Sequence, residues 1–596
     1  MKNLFLKLWV ACLLVGVAAC EKPNAEKNEP STEKPGLLAG VTIELNFDED
    51  KVTATTAQAD YSIDFGAASG APINVKIKYS IAESLNEGSS STYVKTLDKS
   101  ASYVVLDGLL FDRTYYYAVY TELYGTKYLS GRGTFKTSAV SVAMNDPRET
   151  DEGLVLSGKV QGVAQEDKQQ LGVYLCFNEA GYSDKVQRFD LDVPESNEIE
   201  VLIPGLNIAT DYEYWWVIWD DETKKEEGAK LTYTTIDPYA QPKEVSAAGA
   251  DLSADGTTAN CYIVPASGAY KFKMTKGNSS EPVGNVASVR VLWESFGTAV
   301  SPKPFELISA AGMDGEYALF EVPQDYKEGN AVIAAYDAAG TILWSWHIWL
   351  TDDQMTEITY ANEAGVMMDR NLGALSATPN DAKALGLFYQ WGRKDPFLGS
   401  SSIYEPMYAH STRHLKKTLN TAETATVAYA TANPYKFILA NAGSDWLSVK
   451  DNSLWMSSKT IYDPCPAGWR VPDGGYDGGQ ENPLPNGIWA KAGFSREGST
   501  PFGEGDDVKI GKMFSTPYCT PDTWYPAAGS IKYSDGYIYE LGKDGVYQSV
   551  TAFGGSDTMV TGLLFNYLPG INAHYIYCGG EKFARAGGNS VRCCKE

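Results

Sequence analysis

His410 and His414 stand four residues apart in this 596-residue chain, so on a helix both imidazoles would share one face and could hold a zinc ion. Ser411-Thr412-Arg413 between them supplies no glutamate to activate a metal-bound water, and the pair reads instead as a surface segment. Asp473, Asp477 and Glu481 lie along a glycine-rich stretch, Asp473-Gly474-Gly475-Tyr476-Asp477-Gly478-Gly479, whose carboxylate oxygens suit a hard cation. A solvated turn accounts for the same residues, and no metal is assigned. Cys593 and Cys594 are adjacent near the chain end, and adjacent strand residues point to opposite faces, which keeps two thiolates from sharing one metal. A phosphate-cradling loop, a zinc-helix motif and a Gly-x-Ser-x-Gly elbow are missing from the sequence. The chain is therefore expected to be non-enzymatic, with no catalytic residue and no cofactor.

Cys20 points to location. Lys2 and Lys7 supply a positive start, Leu8 to Val17 an apolar core and Val17-Ala18-Ala19-Cys20 a small-residue cleavage site, so residues 1–19 read as an export signal too short to span a bilayer. This segment resembles the bacterial lipobox. The resemblance implies acylation of Cys20, and several acyl chains hold a protein to a membrane far more firmly than one. Residues 20–38 contain no aromatic and few aliphatic side chains, so they read as a flexible tether. Fifty basic against 75 acidic residues give a net charge of -25, which argues against a nucleic-acid partner. Of nine cysteines, Cys465, Cys519, Cys578, Cys593 and Cys594 crowd the end of the chain, where an exported protein is free to form disulfides.

The elements that carry these residues are mainly β. From about Val41, short alternating runs with Gly, Asn and Asp punctuation predict β-sandwiches, and two blocks repeat. Leu110-x3-Thr114-x-Tyr116 recurs as Leu206-x3-Thr210-x-Tyr212, followed by Phe135-Lys136-Thr137 and Tyr233-Thr234-Thr235, which defines tandem sandwiches at 39–138 and 139–238. These residues resemble the fibronectin type III (Ig-like) family, and the resemblance makes Tyr116 and Tyr212 structural corner residues. After a hinge at Pro238 and Pro242, residues 245–352 form a third β-rich module. There Trp344 and Trp346 share one strand face with His347 opposite, while Ala331-Val332-Ile333-Ala334-Ala335 suits a fully buried strand. The tryptophan row reads as sheet core or a domain seam in preference to a sugar-stacking platform. Asn260-Cys261-Tyr262 and Leu343 to Trp349 look like modules of surface lipoproteins from Bacteroides-type bacteria.

Residues 354–596 are dense in Trp, Tyr and Gly. Their landmarks are Met368 to Ala374, Gly386 to Pro396, Cys465-Pro466-Ala467-Gly468-Trp469-Arg470-Val471-Pro472, Tyr525 to Gly529 and Gly588 to Cys594. This ordered set resembles the Fibrobacter succinogenes major paralogous domain, a distant relative of the C-type-lectin-like fold, and implies a loop-rich α+β module. The resemblance pairs Cys465 with Cys593, and a second disulfide is expected between Cys519 and Cys578. Calcium-lectin triplets are incomplete, since Glu405-Pro406-Met407 lacks the amide and Glu481-Asn482-Pro483 has the wrong order. Trp391, Trp489 and Trp524 are the candidate ligand contacts. The expected protein is lipid-anchored in the outer membrane and exposed at the cell surface, an adhesin or fimbria-associated protein with a protein or glycan partner. A glycan-binding accessory or enzyme of polysaccharide processing, or a structural pilus component, are the alternatives.

Overall fold

The computed structural model describes residues 36–596 except 87, 151, 184, 220–224, 352–354, 406–407, 410, 414, 441–442, 476–486, 495–510, 554–555 and 569–572. The export signal, Cys20 and all but the last three tether residues therefore lie outside the described residues. Gly36–Leu38 form a 3₁₀ turn, and Leu38 is fully buried in the first core, so the end of the tether already belongs to the fold.

Two compact units divide the chain. One comprises residues up to Pro147, Leu156–Val201 and Glu213–Leu231; the other comprises Arg148–Val155, Leu202–Tyr212 and Thr232–Glu596. The division runs through the second sandwich, whose corner end clusters with everything that follows it.

Both early modules are antiparallel sandwiches built on the period-two alternation of their strands. In the first, Thr42–Val52, Ala57–Asp64 and Tyr103–Leu106 form one sheet, and Thr92–Leu97, Ile73–Ser80, Thr114–Leu123 and Thr126–Lys136 form the other. Val75, Ile77, Leu97, Leu106, Val119 and Phe135 fill the space between them. The second sandwich repeats the plan, with Glu198–Ile203, Gly153–Gln161 and Ser141–Met144 in one sheet. Gln187–Leu191, Gly172–Glu179 and Asp211–Trp219 are neighbours in the other.

The third module is again two sheets, of four strands each. One of them, ordered Cys261–Val264, Ile342–Leu350, Gly329–Tyr336, Ser288–Ser295, is buried on both faces. Along Ile342–Leu350, Trp344, Trp346, Ile348 and Leu350 point into the sandwich's own core. Trp349 points the other way and joins Leu372, Leu387, Trp391 and Trp455 of the following module. The neighbouring strand does the same: Ala331, Ile333 and Ala335 face inward, and Val332 and Ala334 face the terminal module.

The terminal module closes on itself. Its first strands, Glu357–Tyr360 and Gly365–Met368, share a five-stranded sheet with Trp469–Arg470, Cys519–Thr520 and the last strand, Cys594–Lys595. A seven-stranded sheet contains the long run Asp544–Phe553, Ser556–Leu568 and Ala573–Ala584. Only two short α-helices, Val427–Ala432 and Ile488–Lys491, occur among the described residues of this module.

The shared core sets a stability requirement. Leu292, Trp293, Val332, Ile342 and Trp349 of the third module are all buried in the cluster that contains the terminal core. At roughly 2 kcal/mol per buried large apolar side chain they represent about 10 kcal/mol, comparable with the whole stability of a domain. Residues 355–596 expressed alone are therefore expected to bind hydrophobic dye and lack near-ultraviolet circular dichroism, whereas residues 239–596 give a cooperative melt. A cooperative melt from the shorter piece would contradict the shared core.

Candidate functional site

The sequence motifs of the terminal module interlock. Arg592 is 1% exposed and donates from Nη1 to Thr523 Oγ1 (2.9 Å) and from Nη2 to Trp524 O (2.6 Å), with its guanidinium 3.7 Å from the Tyr525 ring centre. It also donates to Asn371 Oδ1 from Nε and Nη2, at 3.2 and 3.1 Å. Gln390 Nε2 donates to Ile438 O and Ala586 O. Lys394 and Asp395, both buried, leave their own module: Lys394 Nζ and Asp395 Oδ1 both bond the Ser345 hydroxyl at 2.6 Å. Asn330 Nδ2 donates to Gly373 O at 3.0 Å, and Trp349 Nε1 to Ala374 O at 3.1 Å. These landmarks hold the module together and hold it to the third sandwich.

The three candidate contact tryptophans are part of that interior. Trp391 is 1% exposed, Trp489 0% and Trp524 6%, which removes them as surface contacts. Trp391 Nε1 donates to Ser549 O, and Trp489 Nε1 to the Tyr525 hydroxyl, so the polar edges of these two face inward. A tryptophan buries more apolar area than any other side chain, which suits it to fill the interior of a loop-rich module.

Cys465 and Cys593 form a disulfide across a separation of 128 residues. Cys593, just before the last strand, faces the cluster shared with the third sandwich, and Cys594, its first residue, faces the opposite one, the alternation that extended backbone imposes. The second expected pair does not form. Cys519 and Cys578 are free and buried, and Cys519 Sγ donates instead to Phe514 O at 3.4 Å. One sits at the edge of the five-stranded sheet and the other inside the long hairpin opposite Leu563, so closeness to the same cluster does not aim the two sulfurs at each other. Burial pushes the Cys519 thiol up to about 11 and the Cys594 thiol up to about 12, keeping both protonated.

The corner tyrosines differ from expectation in one place. Asn207 N donates to the Tyr212 hydroxyl at 3.1 Å, while in the first sandwich Leu110 N donates to Tyr115, not Tyr116, at 2.9 Å. Thr235 Oγ1 bonds Asn207 O, and Thr137 Oγ1 bonds Leu110 O. Backbone conformation follows the same offset, with φ of +68° and +70° at Gly108 and Gly205, and of +48° and +46° at Asp112 and Ala209. Three consecutive tyrosines, 115 to 117, hid the phase. The strand turns Tyr115 into the core and leaves Tyr116 half-buried.

The hinge and the histidine segment also differ. Tyr239 is 2% exposed, its hydroxyl donating to Glu294, whose carboxylate also accepts from the backbone N–H of Phe305 (2.7 Å), Leu307 (2.8 Å) and Ile308 (2.7 Å). Burial raises the Glu294 carboxyl above its ordinary range even with these donors. Residues 238–242 are thus clamped. His410 and His414 lie outside the described residues, but Ser411 and Thr412 between them are buried. Thr412 accepts from Ile208 N (2.9 Å) and donates its own N–H to Glu294 O (3.0 Å), while Arg413 Nη2 reaches Asp237 at 3.1 Å. The segment is a buckle between the second sandwich's corner, the third module and the terminal module. In the glycine-rich loop, Asp473 pairs with Arg470 at 2.7 Å, and Asp477 and Glu481 lie outside the described residues.

One constellation escaped the sequence reading. Cys261 Sγ lies 3.4 Å from His347 Nδ1, and His347 Nε2 lies 2.9 Å from Asn330 Oδ1, the connectivity of a thiol nucleophile, its base and an orienting amide. All three are at most 2% exposed. Burial holds the imidazole down to about 3 and pushes the thiol up, so the pair stays neutral and seals the seam. Cys261 and His347 are far apart in sequence and meet only because their strands pair in parallel.

No family model matches the chain, and no curated protein matches it. Among solved structures it is similar to a two-domain fibronectin type III segment of chicken tenascin, at 12% identity over 33% of this chain and 99% of that one, with a TM-score of 0.17. It is also similar to the FN1–FN3 domains of chicken CNTN1, at 11% identity over 52% and 97%, with a TM-score of 0.15. At these TM-scores the likenesses carry no weight; the sandwiches rest on the sheets and corners themselves. By those features the chain is mainly β, and its first two modules are tandem sandwiches of fibronectin III-like plan.

Two measurements follow from this geometry. Tyr115→Phe and Tyr212→Phe are each expected to cost about 1 kcal/mol in denaturant melts, and Tyr116→Phe less than about 0.5 kcal/mol. For His347, the unfolded imidazole takes a proton below about pH 6.5, whereas the folded one refuses it until about pH 3. Stability therefore falls on acidification through that window, by up to about 1.4 kcal/mol per pH unit. His347→Gln should flatten the acid limb of a stability-against-pH curve.

Proposed function

We propose that this chain is a lipid-anchored, surface-exposed outer-membrane protein of the adhesin or fimbria-associated type, which binds a surface protein or glycan and performs no chemistry. The lipobox-like segment ending at Cys20 and the polar tether support the address, together with the likeness of the third module to those of Bacteroides-type surface lipoproteins. The Fibrobacter-type, C-type-lectin-like reading of the last module supports presentation of loops from a braced scaffold.

The observation that carries the reading is the loop between Trp446 and Trp455. Trp446, Leu447, Leu454 and Trp455 anchor both of its ends in the shared core. Val449, between the anchors, is 78% exposed, and Met456, directly after Trp455, is 45% exposed. Trp455 Nε1 donates to Tyr462 O at 2.9 Å, and Asp451 Oδ1 accepts from Ser453 N at 2.9 Å, so the loop is held at base and tip. Apolar side chains displayed on a pinned loop suit a partner surface, because little conformational freedom remains to be lost on contact. Contact thus passes from the buried tryptophans to this loop.

The test uses cells displaying the full chain. Added protease should cleave the terminal module on intact cells, Cys20→Ala should leave the membrane fraction, and Val449→Asp with Met456→Asp should reduce attachment to cells or matrix at an unchanged melting temperature. Protection of the module until the cells are lysed would place it in the periplasm and end the adhesion reading.

A further inference from the structure

The third sandwich carries a cavity of about 450 Å³ at one end, walled by residues 256–258, the long turn 273–286 and the turn 313–316. That volume falls in the range of small-molecule sites, roughly 300–1,000 Å³. Its walls are built in advance. Lys276 N donates to Glu281 O at 2.8 Å and Val283 N to Met274 O at 3.2 Å, closing the long turn on itself. Asn278 Nδ2 donates to Thr460 O at 2.7 Å, and Thr258 Oγ1 to Ser279 O at 2.9 Å, pinning the turn at two sides. Gly284 stands at φ +127° and Gly315 at φ +54°, conformations that a side chain rarely adopts.

The lining has a definite chemistry. Ser280, Asn285 and Thr275 supply hydroxyl and amide groups, while the Ser279 hydroxyl is taken up within the turn, donating to Lys276 O at 2.9 Å; Thr275 Oγ1 is buried without a hydrogen-bond partner in a residue only 8% exposed. Lys273 and Glu316 pair across 3.5 Å at the cavity, so their charges cancel and an ion of either sign meets one unfavourable neighbour. Met274, Met313 and Val286 form an apolar wall beside these polar groups. A hydrocarbon ligand would satisfy that wall and strand the hydroxyls, at the cost that unpaired polar groups carry. A ligand with an apolar C–H face and a hydroxylated edge satisfies both. We infer that this cavity is a binding site for a neutral mono- or disaccharide, separate from the Val449–Met456 loop. It goes beyond the adhesion proposal and stands or falls independently of it.

The test is saturation-transfer NMR on the full chain in a sugar-free detergent. The probes are glucose, galactose, N-acetylglucosamine, maltose, cellobiose and lactose, with glycylglycine as the zwitterionic control. At least one saccharide should bind saturably. Asn285→Ala should weaken it about tenfold, the loss of one or two hydrogen bonds. Ser280→Trp, which fills the mouth from an exposed position, should abolish it, and Val449→Asp with Met456→Asp should leave it unchanged. Melting temperatures establish that each variant is folded. Silence from all six saccharides, binding of glycylglycine alone, or wild-type affinity in both cavity variants would overturn the assignment.

Discussion

A sheet covered on both faces is the constraint on which the second compact unit depends. Most antiparallel sheets of sandwich proteins bury one face and wet the other. Here the sheet containing Ile342–Leu350 gives one face to its own sandwich, through Trp344, Trp346 and Ile348, and the other to the terminal module, through Trp349, Val332 and Ala334. Neither neighbour can leave without exposing a continuous apolar surface. The third and terminal modules are consequently one body, and the terminal module is not an independent head.

Apolar burial explains the adhesion of the two modules, and buried polar groups explain their register. Hydrophobic contact is non-directional, so it allows a sheet to slide. Asn330 on Gly373 O, Trp349 on Ala374 O and the Ser345–Lys394–Asp395 cluster permit one alignment, because any shift strands desolvated donors and a buried charge. The Glu294 carboxylate does the same for residues 238–242, gathering Tyr239 and three backbone amides. Polar residues that look catalytic in isolation, including Cys261, His347 and Asn330, are consumed by this registration.

Much of the fold was legible because β-strands advertise themselves locally. Alternation placed the strands, the Trp344 and Trp346 face with His347 opposite, and the divergent directions of Cys593 and Cys594. The repeat of the sandwich corner was visible too, yet its phase was not: Tyr115, Tyr116 and Tyr117 are chemically equivalent, and only the hydrogen bond to Leu110 N selects one. The contact tryptophans were misplaced for a related reason, since an indole suits a ligand platform and a core equally well. The prolines at 238 and 242 suggested a hinge because proline describes local stiffness, not the Glu294 clamp that lies 52 residues or more further on. The cavity around Thr275 left only a polar, glycine-punctuated turn in the sequence, with no sign that three separate turns would enclose a space.

By itself the sequence determined the strand periodicity, the tandem sandwich plan and the chemistry available at each position, because these follow from neighbours in the chain. Tertiary structure decided which face meets what. It decided that Cys465 meets Cys593 while Cys519 and Cys578 remain apart, and that Ser411-Thr412-Arg413 is a buckle and not a surface segment. The physical reason is that a period-two pattern distinguishes two faces of a strand and carries no information on the partner opposite. That partner is chosen by the summed burial and hydrogen bonding of residues from 25 to 176 positions away.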